Sequence, residues 1–298
     1  MNAVRTVLAA TDLSSHARHA VGRAAMLAAE MGARMSLMHV VAGGGLDALR
    51  HLFAGGTSDV GERLLDEVRG EVRELADELG ERHHLTMDIQ LIVGAVLTEL
   101  GGHADAIDAD LLVLGARGAS PLREWMLGST TERMLRKTYR PMLVVKQIPH
   151  ETYRRVLVPV DFSPRSIESL RFARQVAPQA DLILLHAFEV PFEGKLRYAG
   201  VDDNALSSLR VTAKREAVEH MNTLIEHAGL SDAPVRRIVM HGDAPSIILN
   251  QEQEQDCDLI VIGKRGAGLI EEVLLGSVTK HILAQSSADV LVTDRAPA

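Results

Sequence analysis

Short, almost wholly aliphatic runs alternate along the chain with longer segments in which apolar residues recur every three to four positions. The runs read as strands buried on both faces, and the longer segments as helices with one apolar stripe. Residues 4–10 form the first run, and Ser14-Ser15 can cap a helical pattern that continues to about residue 31. Residues 34–41 give a second strand. A glycine-heavy excursion over 42–56 precedes a helix over 58–79, rich in Glu and Arg on its polar face. Strands at 86–93, 109–114 and 142–146 then enclose helices at 94–107 and 129–138, and Pro141 suits the start of the last strand.

The same order returns in the second half. Strands are expected at 156–160, 181–187, 235–241, 258–262 and 289–293, with helices at 164–176, 205–228, 242–255 and 277–285 and a variable excursion over 192–204. Strand and helix alternating through short turns predict parallel sheets covered on both faces and joined by right-handed crossovers. The fold class is therefore α/β, in two doubly wound domains over residues 1–147 and 153–295, with residues 147–153, which include Pro149, as the linker. The registers of the halves agree: Asp12 with Asp161, His39 with His186 and Gly94 with Gly242, at offsets of 149, 147 and 148.

One motif stands out because it occurs twice. Gly115-Ala116-Arg117-Gly118 is followed by Gly128-Ser129, and Gly263-Lys264-Arg265-Gly266 by Gly276-Ser277, each fixed position shifted by 148. Each copy leaves a buried strand and re-enters a helix at Gly-Ser, where serine is a good N-cap. The amides and positive dipole end of such a helix attract anions. In an open parallel sheet, ligands bind beyond the carboxyl ends of the strands. Asp12 after the first strand and Gly115 after the fourth would face one crevice there, the carboxylate to accept hydrogen bonds from sugar hydroxyls or an amine and the glycines to admit a phosphate.

Composition narrows the field. Aromatic residues make up only 3% of the 298 residues, so the cores must be aliphatic, and a net charge of −8 argues against a broad grip on nucleic acid while leaving room for one small anion. Cys257 is the one cysteine, which excludes an intrachain disulfide and reads as a packed thiol. No apolar run reaches the length of a membrane helix and the N-terminus has no cleavage pattern, so a cytoplasmic protein with no membrane partner is expected. His16 with His19 and the pair His83-His84 lack a companion carboxylate at a metal spacing, so no metal site is expected.

The strand-one Asp followed by Gly-x2-Gly-x9-Gly-Ser resembles the universal stress proteins, in their ATP-binding branch, and the resemblance covers the chain twice. It implies Rossmann-like domains, of the kind also called adenine nucleotide alpha hydrolase-like, with strand order 3-2-1-4-5. It also implies ATP in each; whether ADP, AMP or a cyclic nucleotide competes with it, and whether Mg²⁺ accompanies the phosphates, stays open. By position, the adenosine side would be lined by Ala10, Asp12, Val40 and Leu114, and in the second unit by Pro159, Asp161, Ala187 and Ile262. Phosphate and ribose would meet Gly115, Arg117, Gly118, Gly128, Ser129 and Thr130. Gly263, Arg265, Gly266, Gly276, Ser277 and Val278 are the counterparts. Ala10 replaces a proline common in the family, and Trp125 stands where the second copy has Val273. The resemblance further implies that the fifth strands pair within the chain as a pseudo-dimer. Protein partners, and a homodimer of the whole chain, stay open.

Plainer readings stand beside these. The glycines would otherwise be tight turns, Asp12 and Asp161 capping or turn residues, and Arg117 and Arg265 solvated loop residues, while His39 and His186 read as packed, hydrogen-bonded side chains. No catalytic residue is assigned, since neither a Walker lysine nor a carboxylate cluster is visible. The readings in play are a nucleotide-dependent stress-response module, a slow Mg²⁺-dependent ATPase or phosphotransferase, and a scaffold whose sites have become empty turns.

Overall fold

The computed structural model describes residues 3–42, 59–118, 127–264 and 275–294. Internal contacts divide the chain into two compact units, meeting between Thr152 and Tyr153.

The first unit runs β1 (Thr6–Thr11), α1 (Ser15–Met31), β2 (Arg34–Ala42), α2 (Asp59–His83), β3 (Met87–Gly94), α3 (Val96–Ala106), β4 (Leu111–Gly115), α4 (Ser129–Lys137) and β5 (Met142–Val145). Its strands are hydrogen-bonded in the order β3-β2-β1-β4-β5, and the pairs are parallel. Residues such as Val7, Leu8, Leu37, Leu112, Val113 and Leu143 are fully buried, which is why the central strands read as unbroken aliphatic runs. Ser14 caps α1, its side chain accepting from the Ala17 amide, and Gly32 ends the helix in the left-handed conformation at φ 63°.

The second unit repeats this frame: β6 (Arg155–Pro159), α5 (Pro164–Val176), β7 (Asp181–Phe188), α6 (Glu193–Tyr198), α7 (Asp203–His227), β8 (Val235–His241), α8 (Ala244–Glu254), β9 (Leu259–Gly263), α9 (Ser277–Gln285) and β10 (Asp289–Thr293). Its sheet has the order β8-β7-β6-β9-β10, again parallel, so each unit follows the 3-2-1-4-5 scheme. The entry of each β1-type strand is tied in the same way. Asp110 accepts from the Arg5 and Thr6 amides at 2.9 and 3.2 Å, and Asp258 from those of Arg154 and Arg155 at 2.7 and 3.2 Å.

Several boundaries shift by up to four residues from the sequence expectation, the helix expected over 58–79 running to His83. The helix expected at 94 begins at Val96, because Gly94 still belongs to β3. The excursion over 192–204 holds α6 and the start of α7. Glu193 fastens α6 to the frame, accepting from the Arg210 guanidinium and bonding His241 Nε2 at 2.7 Å. Long-range polar pins of this kind leave no periodicity in a six-residue segment. Among the described residues no helix is long and apolar enough to cross a membrane.

Candidate functional site

Each unit holds a cavity beyond the carboxyl ends of its central strands. The first, of about 200 Å³, is lined by all ten residues expected for that unit, from Ala10 and Asp12 through Val40 and Leu114 to Thr130. The second, of about 270 Å³, is lined by eight of its ten: Pro159, Asp161, Ala187, Ile262, Gly263, Gly276, Ser277 and Val278. Arg265 and Gly266 lie outside the described residues, as do Trp125 and Val273.

The two ends of each cavity differ in character. Met38, Val40, Val96 and Leu100 wall one end of the first with aliphatic carbon, and Leu185, Ala187, Ala244 and Ile248 do so in the second. The other end is backbone and hydroxyl: Gly115, Gly128, Ser129 and Thr130, or Gly263, Gly276, Ser277.

At that polar end the serines do not cap. Gly128 and Gly276 occupy the cap positions of α4 and α9, and neither helix start receives a side-chain cap bond. Glycine at the cap puts Ser129 and Ser277 at the first helical position, both exposed. The cap residue therefore offers the first-turn amides no side-chain acceptor, which favours an anionic ligand more than a serine cap would. The loops are braced from below: Thr131 Oγ1 donates to the Gly115 carbonyl and Thr279 Oγ1 to the Gly263 carbonyl, each at 2.8 Å. These threonines follow the expected residues directly and recur at the same shift of 148, a signal the glycine spacing overshadowed.

Asp12 and Asp161 organise their turns and also line the cavities. Asp12 Oδ1 accepts from the Ser14 amide at 3.1 Å and hydroxyl at 2.5 Å, organising the turn before α1. Asp161 Oδ1 does the same with Ser163, at 3.0 and 2.6 Å, and also accepts from Ser166 Oγ at 2.9 Å. The intervening residues, Leu13 and Phe162, are both left-handed at φ 64° and 61°, a conformation that strains a side-chain-bearing residue and recurs at functional turns. The turn leaves both carboxylates exposed at the cavity wall. Asp12 Oδ2 lies only 2.4 Å from where a Cβ on Gly118 would sit. The glycine at 118 thus exists to let the carboxylate and the loop close on one another.

His39 and His186 are hydrogen-bonded packing residues. In each, Nδ1–H donates to a carbonyl that only a donor can satisfy, that of Thr11 or Val160, at 2.8 Å. Burial lowers the pKa of His186, whose ring packs 4.2 Å from that of Phe162. Cys257 is buried before β9, and burial, with Asp258 and Glu252 nearby, pushes its thiol up to about 12, consistent with an inert packed thiol.

Beyond the expected residues, the second cavity also takes in Ser163, Arg165, Ser166, Ser169 and His186. In the first cavity Ala17 stands in the place of Ser166.

The Universal stress protein family matches this chain twice, over residues 3–146 and 152–294. A universal stress protein of Mycolicibacterium smegmatis is 27% identical over 297 residues, covering 96% of each chain. Universal stress protein Slr1230 of Synechocystis is 24% identical over 306 residues, covering 97% of this chain and 99% of its own. Among solved structures, a universal stress protein from Archaeoglobus fulgidus superposes with a TM-score of 0.67 at 21% identity, covering 98% of this chain and 99% of that one, a likeness of fold. With the doubled frame, the doubled crevice and two matches that together span nearly its whole length, the chain belongs to the universal stress protein family and carries two of its domains in tandem.

Proposed function

We propose that each unit binds ATP, or a related adenine nucleotide, in its cavity, and that occupancy makes the protein a nucleotide-dependent regulatory module of the stress response. One observation carries the reading: each unit has a cavity whose one end is aliphatic and whose other end is a glycine turn opening onto an uncapped helix start. A purine suits the first end and phosphates the second. The exposed carboxylate between them, Asp12 or Asp161, suits ribose hydroxyls or the exocyclic amine.

Binding rather than turnover is the better supported activity. Among the described lining residues, the one carboxylate of each cavity wall already holds its serine turn through Oδ1. Among the described residues no group of three or more His, Cys, Asp or Glu could hold a metal ion. A Mg²⁺ arriving with ATP would rely on phosphate oxygens and water.

Isothermal titration of the full chain with ATP tests the reading. Two sites per chain are expected, with Gly118→Ala abolishing the first by displacing the Asp12 carboxylate and Ala187→Phe abolishing the second by filling its aliphatic end. Absence of binding by the parent, or variants that bind as the parent does, would contradict it. A phosphate-release assay on the same samples is expected to stay at the level of the double variant.

A further inference from the structure

The two cavities differ at one charged position that neither the glycine spacing nor the family pattern singles out. Arg165 lines the second cavity, and the matching place in the first unit is His16, which is not among its lining residues. The His16 carbonyl oxygen lies 3.1 Å from where a Cβ on Gly115 would stand. This position therefore abuts the glycine turn, the polar end of the crevice. Arg165, the second residue of α5, lines the second cavity together with Gly263.

An arginine there is electrostatically misplaced for the helix alone. The start of a helix carries partial positive charge and favours anions over cations. The first turn of α5 contains no acidic residue, and among the described residues no ion pair or hydrogen bond engages the Arg165 side chain. Arg165 is half-buried and lines the cavity wall. An anion in the cavity would remove the conflict, and a guanidinium can grip phosphate oxygens with two parallel hydrogen bonds.

Resting on the nucleotide reading above, we infer that Arg165 is a phosphate-binding residue particular to the second unit, and that it makes the two sites unequal. The second site holds the phosphate chain more tightly than the first and discriminates more strongly between ATP and adenosine.

Titration of Gly118→Ala, in which only the second site is competent, with ATP and separately with adenosine is the test. Adding Arg165→Ala is expected to weaken ATP about tenfold or more, the scale of a charge-assisted bond, and to change adenosine less than about twofold. Arg165→Lys is expected to recover part of the ATP affinity, and His16→Arg in the parent to strengthen ATP at the first site. ATP affinity unchanged by Arg165→Ala, or ATP and adenosine weakened equally, would overturn the assignment, the latter by marking Arg165 as a support of the fold. Adenosine and ATP both failing to bind the parent chain would instead overturn the nucleotide reading, and this inference with it.

Discussion

The glycine turn of the first unit rests on Ala116, whereas that of the second rests on Lys264. Around Ala116 the matching positions are Ala20, Val145 and Lys146, two of them plain aliphatic filling. Around Lys264 they are Ser169, Thr293 and Asp294. Lys264 Nζ pairs with Asp294 Oδ2 at 3.0 Å with side chains 1% and 2% exposed, and Ser169 and Thr293 share a hydrogen bond at 2.6 Å. Yet the backbone above is the same: Ala116 and Lys264 each donate to the fifth strand of their unit, at 2.8 and 2.7 Å, and each accepts from the cap glycine, at 2.8 and 2.9 Å. Residues 116 and 264 are therefore held alike by backbone hydrogen bonds, and the filling around them can be apolar or ionic. At the other end of the crevice the contrast is one of size. Val40 and Val96 of the first cavity correspond to the smaller Ala187 and Ala244 of the second, in keeping with the rise in cavity volume from about 200 to about 270 Å³.

If the ionic filling is an alternative to the apolar one rather than a source of stability, breaking it should be far worse than replacing it. Asp294→Ala is expected to destabilise the second unit by about 3–5 kcal/mol, since it leaves a buried ammonium uncompensated. Lys264→Met with Asp294→Leu should recover most of that loss. Calorimetric unfolding of the parent and both variants checks this, and a double variant as unstable as the single one would break the comparison.

The next effect separates the sites by function. Gly118→Ala should abolish ATP binding at the first site and leave the second unchanged, because the new Cβ lands on the Asp12 carboxylate. Site-resolved titration reads it directly. A smaller and deliberately symmetric effect comes from the braces: Thr131→Val and Thr279→Val should each cost about 1 kcal/mol, the worth of one buried hydrogen bond. Unequal losses in chemical denaturation would show that the two loops are supported differently after all.

The smallest effect is one of pH. Burial holds His186 below its ordinary value of 6.5, so the unfolded chain takes up a proton before the folded one does. The second unit's contribution from this residue is complete above about pH 6.5 and is lost as the pH falls toward the lowered folded value. His186→Gln should flatten that part of the stability profile of the second unit. A profile that keeps its slope in the variant would place the titration elsewhere.

Much of the architecture was legible because the information is local and repeated. Aliphatic runs such as 111–114 and 259–262 are strands because both faces are covered, and a shift of 148 aligns two loops residue by residue. Eighteen of the expected site residues line the two cavities for the same reason. What the sequence did not disclose depends on distance or on a single torsion. α6 is held by Glu193 reaching Arg210 and His241, neither near it in the chain. Ser129 and Ser277 looked like caps, yet the glycine before each takes the cap position, a difference of one residue in where the backbone turns helical. Arg165 escaped notice because an arginine after Ser-Pro reads as a solvated helix start until the wall of the crevice is seen.

The most direct measurement of the central claim is native mass spectrometry of the intact chain equilibrated with ATP, run beside Gly118→Ala, Ala187→Phe and the two combined. Two adenine nucleotides per chain, falling to one in either variant and to none in the combination, is the predicted result. A parent chain that carries no nucleotide, or variants that keep both, would contradict it.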